Sequence, residues 1–155
     1  VPEGVNEKFP PKSFFYEFRI TRLIWKIINN QQAKEKTIGF YKSLYSDENE
    51  DWAVTKRSLK DYQNFCQDQS LRCYLVIFPL LIDLDSVYPF HAIHGKVKQS
   101  VDENVVPVID LLPIMIGMNP ANLWVHPTDQ HPNEIVHAIV AETLASHLAT
   151  DAENP

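Results

Sequence analysis

Glycine is scarce in this chain, with four in 155 residues. That leaves little material for a glycine-rich phosphate cradle, and no such loop is present. Cysteine is scarcer still. Cys66 and Cys73 are the whole complement, which excludes the disulfide framework of a small secreted domain. The two can pair if the connection between them turns sharply; reduced thiols are the expectation. No apolar run is long enough to cross a bilayer, because the longest, Cys73 to Ile82, is interrupted by Pro79. Positive charge is also short. Fourteen Lys and Arg against twenty Asp and Glu give a net charge of −6, so there is no electrostatic case for nucleic acid or an anionic membrane as a partner. The opening Val1-Pro2-Glu3-Gly4 is not a signal peptide. Val1 is not an initiator methionine, which fits a processed chain or a fragment. Internal repeats and low-complexity segments are absent.

What remains is a chain that is 45% hydrophobic, enough for the core of one domain. Residues 1–12 carry Pro2, Pro10 and Pro11 and read as an extended lead-in. Ser13 can cap a helix with Phe14, Phe18, Thr21, Trp25 and Ile28 at helical spacing, its apolar face widened by Phe15, Leu23, Ile24 and Ile27. So wide a stripe predicts a core helix, fraying near residue 32. Residues 38–46 read as a short helix or a packed loop. The acidic run from Asp47 to Asp51 precedes a second helical pattern, Trp52, Thr55, Leu59, Tyr62 and Cys66. Negative charge suits a helix start, and the run lacks the ligand spacing of a calcium loop.

Cys73 to Phe78 is continuous apolar sequence ending at Pro79, the pattern of a parallel strand covered on both faces. A third helix is predicted near Pro89, with Phe90, Ile93, Val97 and Val101 inward and His91 and His94 on the flank or surface. Val105 to Ile109 is a second strand, placed at a sheet edge because Pro107 cannot donate to a ladder. Asp110 ends it on the side where open α/β sheets place their sites. A strand-end aspartate capping a turn is the simpler reading. Residues 111–128 form a long apolar loop that could line an acyl pocket or pack as a lid. A last helix begins with Pro132 in its first turn, with Ile135, Ile139 and Leu144 inward, Val136, Val140 and Leu148 beside them, and His137 and His147 on its flank or surface. The alternation of helix and strand predicts an α/β fold.

One stretch carries chemistry. In Trp124-Val125-His126-Pro127-Thr128-Asp129-Gln130-His131-Pro132-Asn133 an acid and an imidazole sit two residues apart between two prolines. The prolines restrict their own φ and keep the preceding residues out of the helical region, so Asp129 and His131 belong to a short, stiff, extended segment. Histidine moves protons near neutral pH, and a carboxylate can hold its tautomer. The competing readings are a solvated turn and a metal site at His126, Asp129 and His131. The prolines exclude the helical pairing of a zincin, and no cysteine is near.

This block, with the helix after it, resembles the last block of the SGNH hydrolases, the GDSL-type esterases and lipases. Leu75 to Pro79, Tyr88-Pro89-Phe90 and Val108 to Pro113 follow the order of one branch of that family. The resemblance covers residues 72–148 well and the first seventy weakly. It implies a three-layer α/β/α sandwich around a parallel sheet, with the strands above as its fourth and fifth. It also implies an ester substrate, no cofactor, and a triad in which His131 is the general base and Asp129 orients it. The family spacing is usually Asp-x-x-His; here it is Asp-x-His. The Gly-Asp-Ser nucleophile block, the oxyanion glycine block and the Gly-x-Asn-Asp block are absent, and no serine of the chain stands in a matching context. The expectation is therefore the C-terminal half of a single SGNH hydrolase domain, inactive alone and completed by the N-terminal half of the same fold, with apolar surface left exposed along the 73–78 strand. The alternative is a catalytically silent α/β interaction module; a metal-binding domain is a third option.

Overall fold

The computed structural model describes residues 19–153, and the predicted Ser13 cap lies outside them. The chain divides into two compact units, Val1–Ser46 and Asp47–Pro155. The described part of the first is one helix, α1 (Arg19–Leu44). It does not fray near residue 32 but runs on into the ambiguous 38–46 region as far as Leu44, since the sequence between offers neither proline nor a helix-ending turn. None of its residues is buried. Ile20, Leu23, Ile24, Ile27 and Ile28 are all about half exposed or more, so the described part of the apolar stripe is not a core face. Periodicity reports amphipathicity, and what covers the face is decided elsewhere.

The second unit opens with α2 (Glu50–Asp68). Asn49 caps it, its Oδ1 accepting the Trp52 N–H at 3.1 Å, and Glu50 and Asp51 occupy the first turn, where negative charge is favoured. The inward line runs Trp52, Leu59, Gln63 and Cys66; the predicted Thr55 and Tyr62 are exposed. Gln63 reaches over to accept the Asp102 N–H at 3.0 Å, which satisfies a buried amide. Ser70, at φ 51°, turns the chain sharply after α2. That turn brings Cys66 and Cys73 together as a disulfide with Cα atoms 6.2 Å apart, a correction to the reduced thiols expected.

Next come β1 (Leu75–Ile77), α3 (His91–Lys98) and β2 (Val108–Asp110). β1 and β2 pair in parallel, Leu75 opposite Val108 and Ile77 opposite Asp110, as the apolar runs and the intervening helix predict. Pro107 contributes only its carbonyl, to the Leu75 N–H at 3.0 Å. Among the described residues β2 pairs with β1 alone. β1 is not covered on both faces: Ile77 is buried, whereas Val76 and Phe78 are 38% and 40% exposed.

The apolar 111–128 segment is neither a free loop nor a pocket lining throughout. It contains α4 (Leu112–Met115), a 3₁₀ turn at Pro120–Asn122 and β3 (Trp124–His126). Leu111, Leu112, Met115 and Leu123 are all at most 3% exposed. Together with Leu84, Phe90, Val106 and Ile109 they make up much of the core, which Trp52, Cys66, Ile77, Leu81, Tyr88 and Val136 complete among the described residues. Each such side chain contributes roughly 1.5–3 kcal/mol by burial. β3 pairs antiparallel with β4 (Asp129–Pro132), Trp124 opposite Pro132 and His126 opposite Asp129. The hairpin leads directly into α5 (Glu134–Glu153). Pro132 therefore ends a strand instead of opening the helix, and Asn133 is the cap. Val136 is buried, while Ile135 and Leu148, expected at the inward face or beside it, are about half exposed. The chain is thus mixed helix and strand with a small parallel sheet.

Candidate functional site

Pro127 and Pro132 do hold Asp129 and His131 in extended backbone, but as one arm of a hairpin that forms its own small sheet. Residues two apart on a strand project from the same face, and that periodicity brings the two side chains together. Asp129 Oδ1 lies 2.5 Å from His131 Nδ1 and also accepts the His131 backbone N–H at 3.1 Å. These two hydrogen bonds, the ring first and the backbone second, hold the Asp129 carboxyl below its ordinary value. An ionised carboxylate only accepts, so Nδ1 is the donor and Nε2 of the neutral ring carries the lone pair. The pair is open to solvent, with 86% of the His131 side chain and 49% of the Asp129 side chain accessible.

His126 does not join this pair. Its Nδ1 accepts the Thr128 backbone N–H at 3.3 Å and lies 2.8 Å from the Thr128 hydroxyl, closing the hairpin turn. Among the described residues no group of three His, Cys, Asp or Glu is placed to hold a metal ion.

Asn133 anchors the hairpin to α5. Its Oδ1 accepts from the N–H groups of Ile135 and Val136 at 3.1 and 3.3 Å. Its Nδ2 donates to Asn122 O at 2.9 Å and Trp124 O at 3.3 Å, and its backbone N–H donates to Leu123 O at 2.9 Å. Trp124 Nε1 donates to Leu81 O at 2.8 Å, tying the other arm to the chain beyond β1.

A second aspartate–histidine pair was not anticipated. His94, expected on the flank or surface, is buried, and its Nδ1 lies 2.8 Å from Oδ1 of Asp110 at the end of β2. The same carboxylate accepts the Leu112 N–H at 3.0 Å, the turn-capping role expected of it, and pairs with Lys98 Nζ at 3.2 Å. Burial pushes this carboxyl up, but the Leu112 N–H, the His94 ring and the Lys98 ammonium outweigh it and hold it below its ordinary value. The side chains of His94 and Asp110 are 7% and 10% exposed, and the Tyr88 and His94 rings pack in a T-shape with centroids 5.6 Å apart. The available signal was spacing: Phe90 and His94 lie one helical turn apart, so an inward Phe90 carries His94 inward as well. His91, His137 and His147 are exposed, and His147 Nδ1 meets Thr143 O of its own helix at 2.9 Å.

Neither a protein-family model, nor a curated protein, nor a solved structure matches the chain. Among the described residues no helix is long and apolar enough to cross a membrane.

Proposed function

We propose that this chain supplies the base and its orienter to a serine ester hydrolase of the SGNH type. The observation that carries the reading is the Asp129–His131 pair: one imidazole nitrogen held by a carboxylate, the other open. In such an enzyme His131 Nε2 takes the proton from the serine hydroxyl as it attacks the ester carbonyl. It then returns that proton to the departing alcohol. Asp129 keeps Nδ1 protonated and stabilises the imidazolium formed between the two steps. The substrate class is a carboxylic ester of a small alcohol, lipid or carbohydrate.

The serine and the oxyanion donors belong to the N-terminal half of the same fold, outside residues 1–155. Two features support this. The hydroxyls of Ser43 and Ser146 bond to carbonyls of their own helices, and that of Ser100, just beyond α3, bonds to Lys96 O. An isolated two-stranded sheet is a marginal structure that further strands would extend, and the exposed Val76 and Phe78 of the β1 segment are the surface that a helical layer of a three-layer α/β/α sandwich would cover. The test is hydrolysis of short-chain p-nitrophenyl esters by the isolated 155-residue chain. No turnover by the triad mechanism is expected: general-base assistance alone is worth on the order of 10² to 10⁴, and one missing oxyanion donor costs about 10² to 10³. Turnover abolished by a serine-directed phosphonate bound within the chain would overturn the reading of an incomplete site.

A further inference from the structure

Asn133 is more than a helix cap. Every polar group it possesses is engaged, and in two directions. The backbone carbonyl accepts the His137 N–H at 3.1 Å, the first hydrogen bond of α5. Oδ1 takes two further N–H groups of the same first turn, those of Ile135 and Val136. The donors point the other way. Nδ2, the backbone N–H and Nδ2 again reach the carbonyls of Asn122, Leu123 and Trp124, three consecutive residues entering β3. The partners also fix which side-chain atom is which, since one end faces only N–H groups and the other only carbonyls.

This clasp closes the open end of the hairpin that carries Asp129 and His131. A two-stranded hairpin is marginal alone, and here the pairing is irregular between Trp124 and His126. The contact of Asp129 with His131 needs extended backbone at residues 129–131, because only then do side chains two apart share a face. Fraying from the open end relaxes that backbone. We infer that Asn133 is the positioning residue of the Asp129–His131 pair, clamping the β4 exit to the β3 entry while its carbonyl side starts α5. This rests on the reading of that pair as base and orienter, and it adds the element that holds the pair in place.

The two roles separate by substitution. Asn133→Asp and Asn133→Ser keep a capping oxygen for α5, both being favoured cap residues, but neither offers the Nδ2 donor to Asn122 and Trp124. The serine variant carries no added charge and controls for that of the aspartate. Imidazole ¹⁵N–¹H correlation spectra of the full 155-residue chain report the His131 tautomer, amide exchange reports hairpin opening, and circular dichroism reports α5. The wild type is expected to show a dominant Nδ1-protonated His131. Both variants are expected to keep the helical signal and to exchange hairpin amides about tenfold faster, as the loss of two neutral hydrogen bonds implies. Their His131 should move toward the Nε2-protonated form of a free imidazole. Unchanged exchange and tautomer in both variants would overturn the role of Asn133 while leaving the pair intact. A wild-type His131 without a dominant tautomer would overturn the pair itself, and the inference with it. Loss of the helical signal together with the hairpin in both variants would make Asn133 a folding cap only, and would also overturn the inference.

Discussion

The chain holds two aspartate–histidine pairs built from the same atoms and set in opposite surroundings. His94 and Asp110 are 16 residues apart, brought together by a helix and a strand end, and nearly closed to water. Asp129 and His131 are two residues apart on one strand and open to it. In the first pair the carboxylate also serves Leu112 and Lys98, so it fastens α3, β2 and the start of α4 to one another. In the second, nothing but its own histidine occupies the carboxylate among the hydrogen bonds described, and the imidazole is free to meet a substrate. Burial makes one pair a fastening; exposure on a stiff hairpin leaves the other open to the reagent role proposed for it.

The comparison is most sharply broken by activity. In a preparation that also carries the serine and oxyanion donors, His131→Ala should lower kcat by roughly 10⁴ to 10⁶. Asp129→Asn should cost less, about 10² to 10⁴, since it disturbs tautomer and orientation only. His126→Ala should have a much smaller effect, its Nδ1 being spent on Thr128. Equal losses for His126 and His131, with bound zinc, would return the case to a metal site.

Stability should rank the pairs in reverse. Asp110→Ala strands a buried imidazole and the Leu112 N–H, and should destabilise the unit by about 3 kcal/mol in a denaturant titration. Asp129→Ala should leave the midpoint where it is. A shift as large for Asp129 as for Asp110 would erase the distinction drawn between them.

Reduction of Cys66–Cys73 sets a scale between these outcomes. The bridge spans seven residues, and its loss should cost about 2–3 kcal/mol, near the low end for so short a loop. Calorimetry with and without reductant reads it directly.

The smallest effect is in acid. Asp110 titrates below its ordinary value of 3.8 in the folded chain, so the unfolded chain binds its proton first. Its contribution is complete above about pH 4 to 5 and is lost as pH falls through the folded value. Asp110→Asn should therefore flatten the acid limb of the stability curve. Asp129→Asn should flatten it less, because Asp129 is also held below its ordinary value but its exposed pair is screened by solvent.

How much of this was legible in the sequence depends on whether a feature is local. The parallel strands were, because Leu75 to Ile77 and Val108 to Ile109 are apolar runs bounded by proline and separated by a helical pattern. The closeness of Asp129 and His131 followed from proline stiffness. The hairpin around them did not, because Pro127 and Pro132 suppress the alternation by which strands are recognised, and antiparallel pairing with Trp124 is a tertiary outcome. The Cys66–Cys73 bridge depends on Ser70 adopting φ 51°, which serine rarely does and composition does not announce. His94 was misplaced because a polar side chain on a helix is read as outward unless its partner, here Asp110, is known. The α1 stripe failed for the converse reason: an apolar face states a need for cover without saying whether the described chain meets it.

The central claim is that His131 activates a serine lying outside residues 1–155. The most direct measurement is fluorophosphonate labelling of the native protein, followed by peptide mapping, with and without His131→Ala. The account predicts label on a serine in a Gly-Asp-Ser setting beyond this chain, lost when His131 is replaced. Label on a serine within residues 1–155, or label that survives His131→Ala, would contradict it.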